Sequence, residues 1–392
     1  MHEIEFKDFI KLQRGFDLPE HSRVNGDVPV VASTSITSFH NVSKVKAPGV
    51  VTGRSGALGE VQYIDMDFWP LNTTLWVKDF KNNNPKYVYY FLKTLNLKRF
   101  NSGAGIPTLN RNDLDTLKIK IHREPEQKII AKILSNYDDL IENNNKRIKI
   151  LEEMAQKIYK EWFIDFKFSG HENATFTDSE LGKIPSDWDV KCIENLIVSI
   201  ESGSRPKGGI NPNEKDIPSI GAENILGLGK YDYAKEKYIS YDFFTKMKKG
   251  KVQDLDVLLY KDGAQLGRKT IFGEHFPHRE CCINEHVFIL RANKMISPYY
   301  LYFTLDTAEN TEKIKQLNTN AAQPGINQEQ VKGLKILQPK KDLINSFDKI
   351  IQPIISQIFK LCVKNKSLKQ TRDILLPRLI SGEIDVENLE IE

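Results

Sequence analysis

The chain repeats itself, and a repeat constrains architecture more than any single motif, because two copies of one sequence fold as two copies of one structural unit. Residues 104–119, AGIPTLNRNDLDTLKI, align with residues 321–336, AAQPGINQEQVKGLKI. Pro107 falls on Pro324, Asn110 on Asn327, Leu117 on Leu334, Lys118 on Lys335 and Ile119 on Ile336, all at an offset of 217. Upstream, PKYVYYFL (85–92) matches SPYYLYFT (297–304), with Tyr90 on Tyr302 at an offset of 212. TGRSGALG (52–59) matches YKDGAQLG (260–267), and DVPVVAS (27–33) matches DIPSIGA (216–222) at an offset of 189. Four matches in one order make a duplication. The rising offset places the extra residues of the second copy mostly between about 222 and 260.

Each copy follows one plan. Short apolar runs punctuated by Gly, Pro and Asn read as strands: VVTG, VQYI and TLWV in the first copy, VLLY, TIFG and HVFILRA in the second. A Tyr-rich segment follows that suits a short helix, and then a long amphipathic stretch. The first long helix is expected from about Glu126 to Phe166, with Ile133, Leu140, Ile148, Leu151 and Ile158 on its apolar face and Asn143, Asn144 and Asn145 interrupting it. The second is expected from about Leu343 to Ser381, with Ile354, Ile358, Leu361, Leu368 and Leu375. Pro353 should bend or break it, Pro377 should do the same near its end, and Gly382 supplies a stop. Neither stripe has a core of its own, so the economical arrangement is an antiparallel pair of helices. The polar segment 166–190, rich in Gly, Ser and Asn, reads as a linker. The expected fold is α+β: two repeated mixed α/β domains separated by two long helices packed as an antiparallel coiled coil. The expected boundaries are 1–122 for the first domain, 123–168 for the first helix, 169–184 for the linker, 185–339 for the second domain, 340–384 for the second helix and 385–392 for a tail.

Composition narrows function less. Lys and Arg number 56 against 52 Asp and Glu, a net charge of +4, which suits a nucleic-acid binder only if the cations cluster. Cys192, Cys281, Cys282 and Cys362 are too few and too scattered for a disulfide framework, which points to a reducing compartment. The first residues, MHEIEFKDFIKLQRGF, carry charges where a signal peptide needs an apolar stretch, and no apolar run approaches a membrane span. A cytoplasmic protein with no membrane partner is expected.

The chemistry-bearing candidates are sparse. GRSGALG lacks the Gly-Lys-Ser/Thr ending of a phosphate cradle, and NNNPKY (82–87) only echoes the Asn/Asp-Pro-Pro-Tyr/Phe segment of adenine methyltransferases. The paired carboxylates Asp138–Asp139 and Glu152–Glu153 sit on the first long helix and read as solvated. His275, His278, Cys281, Cys282 and His286 are zinc-type ligands, but adjacent cysteines and short gaps do not match zinc spacings, so no metal is expected. No catalytic residue and no cofactor of the chain's own is expected.

Three further segments carry a family resemblance. LGKIPSDWDV (181–190) leads into the second domain, EQKIIAKIL (126–134) starts the first helix, and LLPRLISGEI (375–384) ends the second. With the duplication, these resemble the specificity subunits of type I restriction-modification enzymes over essentially the whole chain. The N-terminal MHEIEFKDFIKLQRG departs from the pattern by lacking the Pro-x-x-Trp seen at 185–188. The resemblance implies two target recognition domains that each read half of a split site on double-stranded DNA. It implies that the helices set the gap and dock two modification (methyltransferase) subunits, which two restriction (translocase-nuclease) subunits then join. S-adenosylmethionine and ATP would be bound by those partners. Helices of about 40 residues run to roughly 60 Å, which would suit readers one to one-and-a-half DNA turns apart, at 34–36 Å per turn.

Base reading needs Arg, Lys, Asn, Gln, Ser and Thr on loops that reach a groove. In the first domain the candidates are Ser35, Thr37, His40 and Asn41, then Arg54 and Ser55, then Thr108 and Asn110. In the second they are Ser204, Arg205 and Lys207, then Glu223 and Asn224, then Lys261, Gln265 and Arg268, then Asn320 and Gln323. A repeated Pro and Asn more often shape a turn, which is the favoured reading of Pro107/Asn110 and Pro324/Asn327. Gly56/Gly263 and Gly59/Gly267 read as tight turns likewise. Two alternatives stay open: a non-catalytic scaffold built from repeats, and a reader serving a related DNA-modification system.

Overall fold

The structure is a computed structural model that describes residues 1–103, 105–211, 213–318 and 324–387. The first copy runs β1 (His2–Glu5), α1 (Phe6–Phe9), β2 (Lys11–Arg14), β3 (Val28–Val31), β4 (Ile36–His40), β5 (Gly49–Gly53), β6 (Val61–Ile64), β7 (Trp69–Pro70), β8 (Thr74–Asp79), α2 (Pro85–Thr94), α3 (Asn112–Asp115) and β9 (Lys118–Ile121). The long helix α4 (Glu124–Phe163) follows, then the hairpin β10 (Phe176–Ser179) and β11 (Gly182–Pro185). The second copy runs β12 (Asp189–Cys192), β13 (Ile197–Ser202), β14 (Ile217–Ile220), β15 (Tyr238–Ile239), α5 (Tyr241–Lys246), β16 (Val257–Tyr260), β17 (Lys269–Ile271), β18 (Cys282–Ile283), β19 (Val287–Ala292), α6 (Pro298–Asp306), α7 (Ala308–Gln316), α8 (Gln328–Lys332) and β20 (Lys335–Gln338). The long helix α9 (Lys341–Ile380) comes last.

The duplication is visible strand by strand. A four-stranded antiparallel sheet of order β2-β8-β5-β6 recurs as β13-β19-β16-β17. A three-stranded sheet of order β4-β3-β7, antiparallel on one side and parallel on the other, recurs as β15-β14-β18. Each copy opens and closes on one antiparallel pair, β1 with β9 and β12 with β20. The short helices start alike. Asn84 accepts from the Tyr87 N–H at 3.1 Å with Pro85 next in sequence, and Ser297 accepts from the Tyr300 N–H at 3.0 Å before Pro298. Both are side-chain caps followed by a proline whose missing N–H costs nothing at that position. The expected extra residues lie where the offset placed them. Four residues (32–35) join β3 to β4, whereas 221–237 join β14 to β15.

The chain divides into two compact units, residues 1–141 with 367–392, and residues 142–366. Each contains a piece of α4 lying antiparallel to a piece of α9. In the first unit, Ile130, Ala131 and Leu134 share a core with Leu376, Leu379 and Ile380, and the His122 Nε2 lies 2.9 Å from the Leu379 carbonyl. In the second, Phe347 packs edge-on to Phe163 with ring centres 5.0 Å apart, and Tyr159 stacks on Phe303 at 5.8 Å.

Four expectations about the helices change. Both span 40 residues, and their limits fall one to three residues earlier than the apolar stripes at Glu126–Phe166 and Leu343–Ser381 placed them. Asn143, Asn144 and Asn145 do not interrupt α4. Asn144 is buried and donates to the Asn365 Oδ1 at 2.8 Å, while Asn365 donates to the Asn145 Oδ1 at 2.9 Å. A paired buried asparagine is a known device for fixing helix register. Pro353 and Pro377 do not break α9, because each sits on the solvent side. The carbonyls they leave without a donor, on Lys349 and Asp373, also belong to exposed residues, where water can satisfy them. Finally, Asp138 and Glu152 are not merely solvated. Asp138 accepts from the Tyr90 hydroxyl at 2.6 Å and pairs with Arg372 at 2.5 Å, and Glu152 pairs with Lys230 at 3.1 Å.

The polar segment read as a linker carries structure too. The β10–β11 hairpin turns through Gly182 at φ +93°, a left-handed conformation that favours glycine. Trp188, just beyond it, is buried against Phe163, Phe166 and Phe168 with ring centres 5.4 to 5.8 Å away.

Candidate nucleic-acid interface

The same turn construction appears in both copies. Gly56 donates its N–H to the Pro107 carbonyl at 2.9 Å, and Leu109 donates to the Arg54 carbonyl at 2.8 Å. In the second copy Gly263 donates to Pro324 at 2.8 Å and Ile326 to Lys261 at 3.0 Å. Gly56, Gly59, Gly263 and Gly267 all have φ between +72° and +89°, so the turns need glycine at these positions. Asn110 accepts from the Asn112 N–H at 3.1 Å, and Asn327 caps α8 in a reciprocal box with Gln330. The repeated Pro and Asn therefore shape the turn.

Around this frame the candidate residues separate by burial. Ser35, Thr37 and Asn41 are exposed on or beside the β3–β4 hairpin. His40 is not. It is buried edge-on to Trp69 at 5.3 Å, and its Nδ1 accepts from the Val24 N–H at 3.1 Å. A ring so placed holds the hairpin to the sheet and does not reach a ligand. Arg54 is half-buried, its Nε donating to the Asn72 carbonyl at 3.0 Å. Ser55 gives its carbonyl to the buried Ser33 hydroxyl at 3.0 Å, and Thr108 bonds back to the Ile106 carbonyl at 3.0 Å.

In the second copy Ser204, Arg205 and Lys207 lie exposed after β13, with Arg205 paired to Glu285 at 2.8 Å. Glu223 pairs with Lys237 at 2.7 Å. Asn224 is 1% exposed; it accepts from the Gly221 N–H and donates to the Asp232 carbonyl, both at 3.1 Å. It shapes the loop from inside and touches no solvent, which corrects its assignment as a reader. Lys261 lies over the Phe288 ring at 4.9 Å, while Gln265 and Arg268 are exposed on the following turn. Asn320 and Gln323 lie outside the described residues.

The helix positions separate in the same way. Ile148, Ile358 and Leu361 are buried within the second unit, so they join the helices to the chain's own core and offer nothing to a partner. Ile133, Leu151, Ile158, Ile354, Leu368 and Leu375 are half-buried, and Leu140 is exposed. Ile350, part of the apolar stripe read for the second helix, is exposed, and sequence reasoning missed the exposed apolar side chains Ile150, Met154 and Ile374 on the same helices. It also missed the exposed Ile36 and Phe39 on β4, which lies at a sheet edge.

Two titratable clusters are structural. Arg291 forks onto Asp256 at 2.8 and 2.9 Å and also pairs with Glu201, joining β13 to β19. Burial pushes the Asp256 carboxyl above its usual value despite the guanidinium. In the His/Cys run, His278 pairs with Glu236 and His286 with Asp262 at 2.8 Å. Cys281 and Cys282 are buried, and burial pushes the Cys282 thiol up to about 12. Among the described residues no helix is long and apolar enough to cross a membrane.

Comparison with known proteins agrees with this geometry. The chain is 27% identical over 343 residues to the type I restriction enzyme MjaIX specificity subunit of Methanocaldococcus jannaschii, covering 84% of this chain and 76% of that one. It is 22% identical to the HindI specificity subunit of Haemophilus influenzae, covering 71% of each. The crystal structure of the type I restriction-modification S subunit from M. genitalium superposes with a TM-score of 0.63 over 97% of this chain and 96% of that chain, at 16% identity, and so shares its fold. The model of the type I restriction modification DNA specificity domain matches residues 1–153 and again 185–374, and the chain belongs to that family.

Proposed function

We propose that each mixed α/β domain reads one half of a bipartite site on double-stranded DNA. In this reading the helices α4 and α9 set the gap and dock two methyltransferase subunits, which two translocase-nuclease subunits join. The chain selects the site and performs no chemistry; S-adenosylmethionine and ATP are bound by the partners. The observation that carries this reading is one frame built twice with different polar loops on it, which is what a protein needs to read two different half-sites in one binding event. The exposed Leu140, Ile150, Met154, Ile350 and Ile374 on the helices support the docking role.

A map of methylated adenines across the genome, with and without the gene, tests the reading. Loss of methylation at one split motif on deletion is expected, and an unchanged map refutes it. Inserting seven residues into each long helix adds about 10 Å of helix. The gap in the motif is then expected to grow by about three base pairs with both half-sites unchanged, and an unaltered gap overturns the spacer role alone.

A further inference from the structure

Two domains that share a frame but read different sequences must share what grips the invariant part of the duplex and differ in what touches bases. Cations at equivalent places in both copies are therefore informative. Arg54 and Lys261 are one such pair, fixed as equivalents by the backbone bonds that Leu109 and Ile326 donate to them. Lys98 and Lys315 are another. A Cβ on Gly59 would lie 3.5 Å from the Lys98 stem, and a Cβ on Gly267 would lie 3.7 Å from the Lys315 stem. In each copy the two cations thus flank one glycine turn, and Lys98 and Lys315 are exposed.

These cations differ from the other duplicated lysine, Lys118/Lys335. That pair is committed to carboxylates in both copies, Lys118 to Glu3 at 4.0 Å and Lys335 to Glu180. Among the described residues no carboxylate lies within ion-pairing distance of Arg54, Lys98 or Lys261, and Lys315 pairs only with the exposed Glu312. The neighbouring positions diverge. The carbonyl closing the turn belongs to Glu60 in one copy, accepting from Gly53 at 3.2 Å, and to Arg268 in the other, accepting from Tyr260 at 2.8 Å. The β3–β4 and β14–β15 connections, 32–35 and 221–237, differ in both length and sequence.

We propose that Arg54 with Lys98, and Lys261 with Lys315, hold the sugar-phosphate backbone in each half-site without reading its sequence. The proposal rests on the reading of the chain as a DNA-specificity subunit. It assigns sequence discrimination to the divergent connections and to Glu60/Arg268.

The test uses the full chain assembled with its methyltransferase subunits. Arg54→Gln/Lys98→Gln and Lys261→Gln/Lys315→Gln are compared with wild type for the methylated motif and for duplex affinity between 50 and 200 mM salt. The slope of log affinity against log salt should fall by about 0.9 per lost phosphate contact. Each double variant should then lose about twelvefold less affinity than wild type across that range, with the motif unchanged and cognate and random duplexes affected alike. Unchanged slopes alongside intact wild-type specificity overturn the proposal alone. A motif altered in one half-site also overturns it and makes these residues base readers. A wild-type complex that recognises no motif overturns the underlying reading and the proposal with it. Should a double variant fail to fold, Lys98→Gln and Lys315→Gln alone carry the test, at 0.9 each.

Discussion

Replacing Asn365 with leucine removes both hydrogen bonds that tie α9 to α4 in the middle of the pair. The cost follows from where each partner sits. Asn145 is exposed, so its Oδ1 turns to water at little expense. Asn144 is 3% exposed, and its amide loses its acceptor with no solvent to replace it. A buried donor left unsatisfied costs about 1–3 kcal/mol, so Asn365→Leu should destabilise the second unit by about 2 kcal/mol. Replacing both buried asparagines, Asn144→Leu with Asn365→Leu, removes donor and acceptor together. The double variant should then be close to wild type in stability or above it, with weaker discrimination between helix registers. Urea unfolding followed by circular dichroism gives the overall ordering. Hydrogen exchange over 142–163 and 341–366 places the effect in the second unit, because two compact units need not unfold as one. The reasoning is refuted if the double variant costs the sum of the two single variants, since the asparagines would then be energetically independent.

Arg372→Ala leaves Asp138, only 28% exposed, with the Tyr90 hydroxyl alone; unfolding of the first unit should show a loss of about 2 kcal/mol, and Tyr90→Phe should cost about 1 kcal/mol. Burial raises the Glu236 carboxyl, but hydrogen bonds from His278 and Tyr238 outweigh it and hold its pKa below the usual carboxylate value. A lowered folded pKa gives stability that is present above the unfolded value of about 4.3 and is lost as pH falls through the folded one. The stability advantage of wild type over Glu236→Gln should accordingly disappear in acid; an advantage that survives at pH 2 contradicts the assignment. Of the four free cysteines only Cys192 is not buried, so a thiol reagent should label one site rapidly in the native protein, and Cys192→Ser should abolish that phase.

Much of this was legible in residue order. The offsets of the duplicated segments located the paired sheets, the Pro-led short helices and the longer second copy, because strands and turns leave period and punctuation in a sequence. The long helices were legible from their apolar stripe. What escaped was anything decided by burial across a fold. His40 and Asn224 have the side chains of readers, yet each is consumed by backbone groups that lie far off or on the far side of a loop. The asparagines of α4 looked like an interruption because only the facing Asn365 converts them into a lock. Pro353 and Pro377 are compatible with α9 only because both fall on its wet side, a phase that a proline rule applied residue by residue ignores. Lys98 and Lys315 drew no notice because a lysine on a polar segment is ordinary until its duplicate is found beside the same glycine.

The pairing of β1 with β9 and of β12 with β20 has a consequence for inheritance. Antiparallel neighbours hold their facing Cα atoms about 4.5–5.5 Å apart, so the chain leaves each mixed domain almost where it came in. Everything between those strands is a cassette hung on two adjacent threads. Recombination that cuts at the two strands can exchange the whole cassette for one of different length, provided the incoming piece closes on a similar pair. A lineage can then acquire a new target in a single crossover, whereas stepwise change would have to pass through loops whose interior residues, such as His40 and Asn224, tolerate little alteration.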